Sequence, residues 1–175
     1  AKKETTLNIV QNFESALVEM KLTDFVDEVS RESPAPGGGS IAALAGALGA
    51  SLSSMVSNLT ANNRGSEKID DILNSAADKA QEIKFKLVKA IDADTDAFNE
   101  YMDARRLPNK TDIEREIREK AMLQGLKNAV MVPLLTAQES ARVIELSFDV
   151  AVNGNPNSIT DVGVGAQMAY SGVLG

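Results

Sequence analysis

The chain contains no cysteine, no histidine and no tryptophan. Those absences exclude disulfides, thiolate nucleophiles, imidazole bases, Cys/His zinc sites and any Ser-His-Asp triad within it. No metal site is expected. The lack of cysteine fits a reducing compartment, so the expected location is the cytoplasm. Basic residues are scarce, with 18 Lys+Arg against 25 Asp+Glu and a formal net charge of -7. Phosphate contacts need basic patches, so nucleic acid is not an expected partner. Chemistry, if there is any, falls to Asp, Glu, Lys, Arg, Tyr or backbone groups. The segment from Ala1 to Met20 has no apolar run of the kind a targeting peptide requires.

Charge of either sign is missing altogether between Ser33 and Asn63. Such a run is long enough to raise the possibility of a membrane span. Its content argues otherwise, because Ser51, Ser53, Ser54, Ser57, Asn58, Thr60, Asn62 and Asn63 are too polar for lipid. No membrane partner is expected. Ala42, Gly46, Ala50 and Ser54 recur at every fourth position and share one helix face, which lets neighbouring helix backbones come close. A helix buried on most sides is the reading. In front of it stands Ser33-Pro-Ala-Pro-Gly37-Gly38-Gly39-Ser40. Three glycines permit close backbone approach, and amides at a helix N-terminus suit an anion or an electron-rich group. The same string also serves as a plain Pro/Gly turn before a helix.

What remains is helical in pattern nearly throughout. A short helix spans Leu22 to Val29 with Thr23 as candidate N-cap. A long one runs from Glu67 to about Ala104 behind Ser66, and another from about Asp112 to Val152, kinked at Pro133. Between those two, Arg105 to Thr111 forms a connector. Asn153 to Asn157 reads as a loop, and Ser158 or Thr160 caps a last helix. Residues 1 to about 20 suit an amphipathic helix or a loosely docked arm. No alternating strand pattern and no repeat occurs, so the expectation is one all-α domain over residues 1–175, a bundle of long helices around a buried small-residue helix.

One carboxylate falls on an apolar seam. Ile69, Leu73, Ala76, Ala80, Ile83, Leu87 and Ala90 follow each other at spacings of three and four, and the series continues through Asp94, Ala97 and Tyr101. Asp92 and Asp96 fall off the seam and are expected to be more solvated. A carboxylate desolvated among Ile91, Ala97 and Phe98 suits general acid/base work. The competing reading pairs Asp94 with a core-facing Arg or Lys, or puts it at an exposed helix end. Arg105, Arg106 and Lys110 cluster just beyond, where they either complement a helix C-terminus or clamp a substrate carboxylate. Asn157 and Asp161 open the last helix, either as turn residues or as polar groups for a flat heterocycle.

Taken together these strings resemble the cyclodeaminase/methenyltetrahydrofolate cyclohydrolase family, from about Leu22 to the chain end. They are PAPGGGS before a small-residue helix, DADTDAFNEYM before RRLP, VPLL in the second of the long helices, and GNPNSITD before the last helix. The resemblance implies an all-helical fold, homodimerisation through long helices and a folate cleft largely at the subunit interface. It implies Asp94, the first Asp of D-x-[DE]-A-F, as the catalytic group. Gly37, Gly38, Gly39, Ser40, Arg106, Asn157 and Asp161 are then substrate-binding. The ligand would be a tetrahydrofolate derivative, with or without a polyglutamate tail, and no cofactor beyond that substrate. Asn109 after Pro108 departs from the family's lysine, which comes one position later as Lys110. The family also continues into further apolar helical sequence beyond Gly175. Cyclohydrolase is the first expectation and cyclodeaminase the second, with a non-catalytic folate- or partner-binding helical dimer as the rival from another class.

Overall fold

In the computed structural model, which describes residues 16–61 and 66–175, five α-helices carry the chain, and no strand occurs among the described residues. They are α1 (Leu22–Val29), α2 (Gly38–Thr60), α3 (Glu67–Arg106), α4 (Asp112–Asn153) and α5 (Ile159–Leu174), with single 3₁₀ turns at Leu17–Glu19 and Pro156–Ser158. The boundaries lie within a few residues of those read from the pattern. The reading of residues 1–15, and of the loop at 62–65, lies outside the described residues.

Several caps follow from local chemistry. Thr111 opens α4 with a capping box: its hydroxyl accepts from the Glu114 amide, and the Glu114 carboxylate accepts from the Thr111 amide at 2.9 Å. That backbone bond holds the Glu114 carboxyl below the usual glutamate range. Ser66 and Ser158 stand at the N-caps of α3 and α5 without side-chain cap bonds. Thr23 is not the cap of α1. That place falls to Lys21, and the Thr23 hydroxyl turns to Asp24 instead. Pro133 lies inside α4, which continues through it.

The small-residue helix α2 is the hub. Ala42, Gly46, Ala50 and Ser54 are all buried, as the four-residue stripe requires. Its neighbours come close enough that a Cβ on Gly46 would meet Ser140 Oγ of α4, and one on Gly49 would lie 2.6 Å from the Gly165 carbonyl oxygen of α5. The helix is long and apolar enough to cross a membrane by length and composition. Most of that window is nevertheless buried inside the protein. Ile83, Leu87, Val143 and Ala169 close around Ala47 and Ala50 at mid-length, while Val56, Ala76, Val150 and Val162 close the far end. At the near end Ala43, Ala90 and Ile91 are covered by Leu17 and Phe25.

Past that near end α3 and α4 have mainly each other. From Asp94 onward α3 buries just Ala97 and Ala104, and the first half of α4 buries just Gly125. A Cβ at Gly125 would lie 2.8 Å from Tyr101 Cα, which is why the two helices can lie so close there. Arg118 donates to the Arg105 carbonyl, and Asn128 to the Glu100 carboxylate. The pair forms a two-helix arm whose outer face carries exposed Ile113, Ile117, Leu123, Leu126, Val130 and Met131.

Candidate active site

The charge-free loop and the seam carboxylate meet. Gly37 is the N-cap of α2, so the amides of Gly38, Gly39 and Ser40 are the first of the helix and lack intrahelical acceptors. Asp94 on α3 lies directly against this turn. A Cβ placed on Gly39 would fall 2.2 Å from Asp94 Oδ1 and 2.5 Å from its carboxyl carbon. No other residue type fits without displacing the carboxylate. The carboxyl group thus lies beside the first turn of α2, the end of a helix that favours negative charge. Asp94 is half-buried, with Ile91 and Ala97 buried on its helix and Phe98 half-buried. A group so placed is anchored on one side and open to a ligand on the other.

Ser40 faces inward. Its side chain is fully buried, donates to the Ile91 carbonyl at 2.8 Å, and lies 3.3 Å from both Asp94 Oδ2 and Thr95 Oγ1. Asp92, expected to be more solvated than Asp94, is half-buried like it and accepts the Leu17 amide at 2.6 Å, which pins the 3₁₀ turn onto α3. Asp96 is exposed as expected. On the Thr95 side a cleft of about 400 Å³ runs between α3 and the segment leading into the glycines, lined among others by Arg31, Pro34, Asp92, Thr95, Asp96 and Asn99. Asp94 is adjacent to this cleft and does not line it. The volume lies in the range of small-molecule sites. Sequence reasoning did not find this cleft, since the segment that walls it folds over by tertiary packing alone. Its Ala35–Pro36 peptide bond is cis. Among the described residues no group of three or more acidic side chains is gathered in a way that would hold a metal.

The other expected site residues are elsewhere in the single chain. Arg106 ends α3, about 18 Å along the axis from Asp94 at a rise of ~1.5 Å per residue, and is exposed and paired with Asp103 at 2.9 Å. Lys110 contributes its backbone amide to Glu114. Asn157 and Asp161 lie at the opposite end of α2, because the Asn155 amide next to them donates to Thr60 Oγ1 at 3.0 Å. With 23 residues in α2, that separates them from Gly39 by roughly 30 Å. The structure thus brings Gly37 to Ser40 together with Asp94, and leaves Arg106, Asn157 and Asp161 apart from them.

Comparison with known proteins supplies the context for this arrangement. Residues 21–175 match the family model described as formiminotransferase-cyclodeaminase. A formimidoyltransferase-cyclodeaminase from Gallus gallus is 40% identical over 162 residues, covering 93% of this chain and 30% of that protein. The chain therefore spans under a third of that relative's length. A methenyltetrahydrofolate cyclohydrolase from Methylorubrum extorquens is 38% identical over 149 residues, 85% of this chain and 72% of that one. Among solved structures, a formiminotetrahydrofolate cyclodeaminase from Thermotoga maritima superposes with a TM-score of 0.72 at 24% identity, over 89% of this chain and 77% of that chain. At that identity the likeness establishes the fold.

Proposed function

The chain belongs to the formiminotransferase-cyclodeaminase family, and on that premise we propose that it is an enzyme of folate one-carbon chemistry, acting first as a 5,10-methenyltetrahydrofolate cyclohydrolase. The observation that carries this is the Asp94 carboxylate seated on Gly39 at the head of α2. Water attacks the cationic methenyl carbon between N5 and N10, and Asp94 takes one proton from it. The C–N5 bond then breaks as Asp94 returns that proton to N5. The remaining hydroxyl proton leaves to solvent as the carbonyl forms, giving 10-formyltetrahydrofolate. The carboxylate also stabilises the cationic substrate electrostatically.

Cyclohydrolase stands first because the stand-alone relative of that name matches over most of its own length. The cyclodeaminase reading is favoured by the 40% identity to a formimidoyltransferase-cyclodeaminase. There N10 attacks the formimino carbon on N5 and ammonia departs, with the same carboxylate moving the proton. Two copies of the chain would associate through their exposed apolar faces. The working location is the cytoplasm.

The test is an absorbance assay on the full-length protein with 5,10-methenyltetrahydrofolate, and 5-formiminotetrahydrofolate in parallel. The expected result is loss of the methenyl chromophore above the uncatalysed rate. It falls by at least about a hundredfold in Asp94→Asn, the scale of a lost general acid/base. Chromophore gain from the formimino compound alone makes the protein a cyclodeaminase. No change with either compound leaves a non-catalytic binding dimer.

A further inference from the structure

The buried hydroxyl of Ser40 has one proton and three oxygens within reach, those of Ile91, Asp94 and Thr95. It donates to the Ile91 carbonyl at 2.8 Å, while Asp94 Oδ2 stands 3.3 Å from the same oxygen. No substrate reaches it, because the side chain is 0% exposed. The Ile91 carbonyl also serves the hydrogen-bond ladder of α3, so it does not depend on Ser40 for a partner. A hydroxyl donates more strongly to an ionised acceptor than to a neutral one. We infer that Ser40 is a positioning residue for Asp94, its hydroxyl turning to Oδ2 when the carboxyl is ionised and back to the Ile91 carbonyl when the carboxyl holds the proton. This rests on the reading of Asp94 as the proton-moving group, and it takes Ser40 out of the set that touches folate. Thr95 Oγ1, 3.3 Å from Ser40 Oγ, supplies a hydrogen-bond partner in either orientation. The switch moves a single hydrogen and no heavy atom, as suits a carboxylate pressed against Gly39.

Ser40→Ala and Ser40→Cys are made in the full-length protein and assayed beside Asp94→Asn with both folate compounds. The thiol is slightly larger than the hydroxyl and donates weakly, whereas alanine is smaller, so a loss shared by both variants reports the hydrogen bond and not the packing. Both Ser40 variants should lose about tenfold in kcat, as for one hydrogen bond to a charged group, with KM changed less than about twofold and the melting curve preserved. Parental kcat in either variant, or a loss confined to KM, overturns the inference. Near-normal turnover in Asp94→Asn would instead overturn the reading of Asp94, and this inference with it.

Discussion

At the scale of single residues, the contact between Gly39 and Asp94 decides most. The atoms in the way of a Cβ at position 39 belong to the end of a flexible side chain, not to backbone. Gly39→Ala should therefore fold, with alanine also the better helix former, while pushing the carboxylate off its seat. Turnover should drop about a hundredfold, as expected for a displacement of about an ångström, with the melting curve nearly unmoved. A variant that melts far lower and shows no specific loss of kcat would argue for a purely structural glycine. The place of Asp94 on an apolar seam was legible, because that seam is local and periodic. The orientation of Ser40 was not. A serine after three glycines reads as an exposed loop donor, and its inward turn depends on α3 passing alongside.

Among the elements, α2 shows how far a pattern can be read. Its stripe of Ala42, Gly46, Ala50 and Ser54 announced close helix packing, and the helices that approach it do so at backbone distance. At Gly49 the obstacle is the Gly165 carbonyl and the Ala169 amide nitrogen of α5. Gly49→Ala should accordingly destabilise the fold by about 1–3 kcal/mol through overpacking, measured as a lowered melting temperature. An unchanged melting temperature would mean that α5 shifts freely. Which neighbour meets which stripe was not legible. Helix identity and ends follow from neighbouring residues and caps, whereas the choice of partner depends on the whole packing.

For the whole molecule, the separation of the expected site residues is the main result. Arg106, Asn157 and Asp161 were grouped with Asp94 by motif, and motif order carries no distance. Arg106 lies beyond Asp94 on one side and Asn157 and Asp161 on the other, so a partner in the proposed dimer can bring one of these groups to Asp94 and not both; exposed Leu48 on α2 and Leu126 on α4 are candidate contacts for it. Light scattering of the full-length protein should give twice the chain mass, falling to the single-chain mass when Leu48 and Leu126 are both changed to Asp. A single-chain mass for the unaltered protein would exclude the shared site.

The arm has a mechanical consequence. α3 is one unbroken rod from Glu67 to Arg106, held by the core on one side of Asp94 and packed mainly against α4 alone on the other. The carboxylate therefore sits at the fulcrum and Arg106 at the tip. A rod clamped at one end turns about its clamp, so any flexing of the arm would move Arg106 far more than Asp94. If Asp94 moves the proton and Arg106 holds the substrate, the first would keep its place while the second adjusts.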